Sequence, residues 1–227
     1  MTEPFIKTEE LSFGYDAERM LFRGLNLEIR GGEIVALCGA SGCGKSTLCY
    51  CLSGIIPKIY QGELSGRVML FGEDVASLRL AQMAERLFFV FQEPSAQLFS
   101  PTIEDELVFA PENMLWSRER MEMALASSLE QTGIGGFRYL SPNKLSGGEQ
   151  QMVTVSAALV AAPRFYIFDE AVSQLDEEFR QRILQLIVKL KNEGNAVLMV
   201  EHSYANMEIA DRVLSLENGI LTDIGKK

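Results

Sequence analysis

The chain has 227 residues and a formal charge of 21 − 31 = −10, with 47% hydrophobic and 23% charged residues. Those proportions belong to a globular chain with a sizeable core, and an acidic surface with no basic run longer than Lys226-Lys227 argues against nucleic acid or anionic lipid as a partner. No stretch approaches the ~18 apolar residues that span a bilayer, and Met1 to Glu10 is too polar for a signal peptide, so no direct lipid insertion is expected and any membrane role must pass through a partner.

Taken in chain order, Ile6 to Phe13, Leu25 to Ile29 and Ile34 to Leu37 are predicted short strands, separated by Gly14, Gly24 and the Gly31-Gly32 turn. Ile34 to Cys38 is nearly all apolar, as in a strand buried on both faces. The loop that follows, Gly39-Ala40-Ser41-Gly42-Cys43-Gly44-Lys45-Ser46, matches G-x-x-x-x-G-K-[ST] without a gap and leads into a predicted helix from about Lys45 to Ser53. Glycines let backbone N–H groups turn inward as an anion cradle, and the helix N-terminus adds positive potential. Lys45 can then reach the β- and γ-phosphates of a nucleotide, and the Ser46 hydroxyl can hold Mg²⁺. Thr47 completes this nucleotide-binding set. The four cysteines, Cys38, Cys43, Cys49 and Cys51, lack paired zinc-site spacing and have no histidine near. They read as small buried side chains in a reducing, cytosolic compartment.

Leu64 to Phe71 reads as an edge strand broken by Gly66, and Leu87 to Phe91 as a second buried strand. Residues 93–150 change character. They hold four of the seven prolines and carry Met and Glu at helical spacing, notably from Ser117 to Gln131, which predicts a helical insertion. Within it, Leu145-Ser146-Gly147-Gly148-Glu149-Gln150 precedes a predicted helix over Gln151 to Ala162. Ser146 can cap that helix, and the amides of Gly147 and Gly148 make a second anion site. One nucleotide scarcely needs two cradles in one chain, whereas a nucleotide shared between two chains accounts for both.

Arg164 to Phe168 and Ala196 to Val200 are two more apolar strands, with an amphipathic helix between them from about Asp176 to Asn192. The first runs into the carboxylate pair Asp169-Glu170. Asp169 suits a direct or water-mediated contact to Mg²⁺, and Glu170 can orient or deprotonate an attacking water. Strands alternating with helices imply a mostly parallel α/β sheet covered on both faces, with ligands beyond the C-terminal strand ends.

With these motifs assembled, the sequence resembles the ABC ATPase family over essentially its whole length. Leu145 to Gln150 matches the signature motif and Gln92 the Q-loop glutamine. Ser173 to Asp176 is similar to the D-loop, Glu201-His202 to the switch histidine region, and Tyr15, twenty-four residues before Gly39, to the aromatic that stacks on adenine. The resemblance implies a P-loop NTPase of ABC type: a RecA-like, mostly parallel sheet, an N-terminal antiparallel β subdomain and an inserted helical subdomain. It further implies one domain, with residues 1–92 and 151–227 forming the nucleotide-binding core and 93–150 the helical part. Lys45, Gln92, Glu170 and His202 would be catalytic, and Ser46, Gln92 and Asp169 would hold the metal. A head-to-tail dimer, of two copies or with a second ABC ATPase, would close on two ATP molecules, with Ser146, Gly147, Gly148 and Gln150 serving the nucleotide of the facing subunit. Gln92 would link the metal to the helical part.

Phe91 to Glu106, continuing to Pro111, and Gly54 to Gly66 are similar to the ATPases of energy-coupling factor importers, which take up vitamins, their precursors or transition-metal ions. That branch implies a transmembrane coupling subunit bound at the cytoplasmic face of the membrane. Pro94, Gln97, Leu98 and Phe99 would be contacts, and Met114 or Met121 would line the groove. The chain departs from many relatives of that branch in stopping soon after Asn218 to Leu221; this puts a stable nucleotide-free dimer in doubt and leaves open that it is one half of a two-cassette protein. A soluble non-transport ABC ATPase and an exporter cassette are the alternatives.

Overall fold

The computed structural model describes residues 3–16, 19–173 and 175–225. In chain order the strands and helices are β1 Ile6–Gly14, β2 Met20–Ile29, β3 Ile34–Cys38, α1 Lys45–Leu52, α2 Ile55–Lys58, β4 Glu63–Leu70, β5 Glu73–Asp74, α3 Leu80–Ala84 and β6 Leu87–Val90. They continue as α4 Ile103–Asn113, α5 Arg118–Thr132, α6 Gly147–Ala161, β7 Phe165–Asp169, α7 Glu177–Asn192, β8 Ala196–Val200, α8 Tyr204–Met207, β9 Arg212–Glu217 and β10 Ile220–Asp223.

Two sheets result. One is antiparallel, in the order β2-β1-β4-β5; the other runs β10-β9-β3-β8-β7-β6, parallel throughout except for the β9–β10 hairpin. The central strands β3, β7 and β8 show why apolar runs were the right signal for the second sheet. Val35, Leu37, Phe165, Ile167, Leu198 and Val200 face a core shared with the antiparallel sheet and α1. Ile34, Ala36, Tyr166, Phe168, Val197 and Met199 face the helices of the other side. A pleated strand sends alternate residues to opposite faces, so a strand covered on both sides must be apolar at every position.

Two expectations change, for the strand from Leu64 and for two of the cysteines, and the strand from Leu87 gains a place in the sheet. The strand from Leu64 is not an edge: β4 pairs with β1 along its length and is flanked at Met69 and Leu70 by the two-residue β5. The strand from Leu87 is buried through its faces as expected, and among the described residues β6 pairs with β7 alone, which makes it the sheet's outer strand. Of the cysteines, Cys49 and Cys51 are buried, but Cys38 and Cys43 are only partly so. Burial raises both inner thiols, Cys51 to about 12, which keeps them protonated and inert.

The stretch rich in Met and Glu forms α4 and α5, joined to α6 by turns. Ser117 caps α5 through its side chain, which accepts from Arg120 N–H. Helix α6 begins at Gly147, four residues before the predicted start, and runs unbroken past position 150, packing against α4 and α5 as well as β6 and α7. Among the described residues no helix is long and apolar enough to cross a membrane.

Candidate functional site

The phosphate loop joins β3 to α1, where a parallel strand's C-terminal end meets a helix N-terminus. Gly39 has φ 148°, and a Cβ there would lie 2.4 Å from Leu216 O, so only glycine lets the chain leave β3 so close to β9. Gly44 precedes α1 at φ 106° and brings no side-chain cap, and no acidic residue lies in the first turn. The first amides of α1 have no intrahelical acceptor and no carboxylate competes for them. Lys45 is buried, and its ammonium donates to the carbonyls of Gly39 and Ala40, both at 3.0 Å. The cation therefore lies across the loop.

This loop forms one wall of a cavity of about 530 Å³, also lined by Tyr15, Asp16, Arg19, Leu21, Gln92, Glu170 and His202. Tyr15 is 55% exposed, packs edge-on against Phe13 at 5.1 Å, and places its hydroxyl 3.3 Å from Thr47 Oγ1. An aromatic face is thus offered at the cavity mouth, held by a ring beneath and a hydroxyl beside it. Asp16, Arg19 and Leu21 complete that wall and carried no motif by which sequence reading could find them.

Glu170 follows β7 with φ 49°, a left-handed conformation uncommon outside glycine. The turn is over-determined: its N–H donates to Val200 O, and its carbonyl accepts from the N–H and hydroxyl of Ser173. Backbone held in such a region aims a side chain at the cost of local strain. Both carboxylate oxygens are engaged. Oε2 accepts from the Gln92 amide at 2.9 Å, and Oε1 lies 2.7 Å from His202 Nε2. Three motifs separated by as much as 110 positions (92 to 202) meet on one carboxylate.

Asp169 lies on the other side of Ser46 and Gln92, lining a second cavity of about 330 Å³ that these two residues share with the first. Burial lifts the Asp169 carboxyl above its ordinary value; a hydrogen bond from Ser46 pulls the other way, and the neighbouring Glu170 charge adds to the rise. Among the described residues, Asp169 Oδ1 is buried without a hydrogen-bond partner. An orphaned carboxylate oxygen costs free energy unless something fills its place, and a cation is the natural occupant. Among the described residues no group of three or more His, Cys, Asp or Glu could hold a metal. One carboxylate with the oxygens of Ser46 and Gln92 fits Mg²⁺, which takes few protein ligands and draws the rest from phosphate and water.

Ser146, Gly147, Gly148 and Gln150 line neither cavity. Ser146 caps α6 in a reciprocal box with Glu149, whose carboxylate accepts from the Ser146 amide at 2.8 Å. Gly147 has open space where a side chain would project, while Gly148 backs onto the Phe179 ring. Gln150 donates to Pro142 O. Of the segment 173–176, Ser173 braces Glu170 and Asp176 caps α7; Gln174 lies outside the described residues, as do Lys226 and Lys227.

The expected contacts for a transmembrane subunit divide. Phe99 is 65% exposed and stacks edge-on against Phe109 at 4.8 Å. Gln97 bonds the backbone at the end of β6, accepting from Phe91 N–H and donating to Phe89 O, and Leu98 packs against the helical-side core. Pro94, Met114 and Met121 are partly buried.

A mostly parallel α/β sheet, a phosphate loop at the end of its β3 and a glutamate bracketed by glutamine and histidine define a P-loop nucleoside triphosphatase fold. The family model for ABC transporters matches residues 22–173, and the chain belongs to the ABC transporter ATP-binding family. A Methanosarcina mazei protein, named only by likeness to ABC transporter ATP-binding proteins, is 38% identical over 87% of this chain and 34% of its own length. The energy-coupling factor transporter ATP-binding protein EcfA of Methanothermobacter thermautotrophicus is 33% identical over 95% of this chain and 69% of its own. The structure of cbiO1 from Clostridium perfringens, part of the ABC transporter complex cbiONQ, superposes with a TM-score of 0.84 at 27% identity, covering 97% of this chain and 88% of that one. The chain spans about a third of the length of three Methanosarcina relatives it matches, 34%, 37% and 31%.

Proposed function

We propose that this chain is the ATP-hydrolysing subunit of a membrane importer of energy-coupling factor type, moving a vitamin, a vitamin precursor or a metal ion. The observation that carries the hydrolytic part is the Glu170 carboxylate, held from both sides by Gln92 and His202 beside the phosphate loop. The likeness to EcfA and to cbiO1 supports the importer branch.

In this reading Tyr15 stacks on the base, while the amides from Gly39 to Thr47 and the Lys45 ammonium take the phosphates. Ser46, Gln92 and Asp169 would hold Mg²⁺, which when bound neutralises charge on the phosphate oxygens. Glu170 orients the attacking water and accepts its proton. Gln92 and His202 fix the direction in which that carboxylate points, and His202, which lines the same cavity, would follow the loss of the terminal phosphate. Ser146, Gly147, Gly148 and Gln150, remote from this chain's own cavity, serve the triphosphate of a facing copy or sibling ATPase. The Gln92 segment and the exposed Phe99–Phe109 pair meet a transmembrane coupling subunit at the cytoplasmic face of the membrane.

Glu170→Gln keeps the shape of the bracket and removes the base. ATP binding should persist while turnover falls by ~10²–10³; normal turnover would overturn the assignment. Purifying the chain with its membrane partner tests the importer branch, which fails if the partner is an exporter's transmembrane domain.

A further inference from the structure

Behind the cavity lies a buried carboxylate that the mechanism above does not use. Glu201 directly follows β8, immediately before His202, and is 2% exposed. Among the described residues it has no cationic partner. It accepts instead from the Asn206 side-chain amide at 3.2 Å, and the nearby backbone N–H groups of Ser203 and His202 favour its charged form. Asn206 is equally buried, and its carbonyl oxygen accepts from Arg180 Nη1 at 2.7 Å. Arg180 is paired in turn with Glu177 in the first turn of α7, the helix that Asp176 caps.

Burying a carboxylate without a counter-charge is costly, and an apolar side chain would fill the space at less expense. What the carboxylate does here is hold the Asn206 amide across the turn 202–206, beside the backbone N–H of the residue whose imidazole meets Glu170. We propose that Glu201 and Asn206 are positioning residues that fix the His202 backbone so that the imidazole stays on Glu170, and that Arg180 anchors this bracket to the start of α7. The proposal rests on the reading of His202 given above.

The test measures ATP turnover of the full chain, with its partner subunits, in Glu201→Ala and in Arg180→Met, each alone and combined with His202→Ala. Each single variant is expected to lower kcat by about tenfold, the scale on which loss of an orienting contact is felt, with KM for ATP little changed. Neither should lower it further once His202 is gone, because residues acting through one group are not additive. Arg180→Met sits at the outer, partly exposed end, so it reports even if Glu201→Ala does not fold. His202 is the chain's single histidine, so its imidazole NMR signals are read directly, and in both variants they should shift towards those of a solvated imidazole. Unmoved signals, or losses that persist in the His202→Ala background, would overturn the proposal. Normal turnover in His202→Ala alone would instead sink the reading of His202 on which it stands.

Discussion

Asp169 shows how a site residue can be recognised by what it costs. Its carboxyl is raised above 3.8 by burial, and one oxygen has no partner among the described residues. A carboxyl raised in the folded state holds its proton more tightly folded than unfolded. Stability is therefore present at low pH and is lost as pH rises from 3.8 through the higher folded value. Asp169→Asn removes that loss. In the nucleotide-free chain it should raise stability at pH 7 by about 1 kcal/mol, as removing strained functional groups commonly does. The gain should vanish in melting curves taken at or below pH 3.8, and ATPase turnover should fall by ~10²–10³. The Glu170–His202 contact teaches a different lesson about single residues. Each motif was legible in the sequence, but their convergence on one carboxylate was not, because it depends on where β6, β7 and β8 end relative to one another.

At the scale of elements, α6 carries two roles at its first turn. The Ser146–Glu149 box is sound helix chemistry, and by itself would make Ser146 a cap and nothing more. A cap is worth about 1 kcal/mol. Ser146→Ala is therefore expected to lower the melting temperature slightly, yet to reduce turnover of the assembled ATPase far beyond that loss, by ~10². A turnover loss no larger than the fraction unfolded would leave the residue a cap. Periodicity located α5, α7 and the buried strands well, because amphipathic and two-sided burial each leave a direct pattern. It did not distinguish β6 at the sheet's edge from a central strand, because side-chain burial on the two faces says nothing about whether the backbone edge is paired. Gln97 makes a similar point. Expected as a contact for a partner subunit, it bonds within the chain to the N–H of Phe91 and the carbonyl of Phe89.

For the whole molecule, the separation between the Lys45 cavity and the Ser146 cradle is the consequential feature. If two copies of this chain pair head to tail, Lys45→Ala and Ser146→Arg should each be inactive alone. Mixing them should restore turnover, since one composite site in each mixed pair keeps both its lysine and its serine. An assay of the two proteins separately and together reads this directly, and no recovery on mixing would refute pairing between copies of this chain.

Local sequence alone determined the phosphate loop, the carboxylate pair and the capped helix of the signature segment, since each needs only adjacent residues of particular type and backbone freedom. Tertiary structure decided what those pieces share. It brought Gln92 and His202 to opposite oxygens of Glu170, left Asp169 with an unpartnered oxygen beside Ser46, and kept Ser146 out of the cavity. The physical reason is that these relations follow from strand order and parallel register, which are set by packing of both sheet faces and leave no trace in the spacing of any one motif.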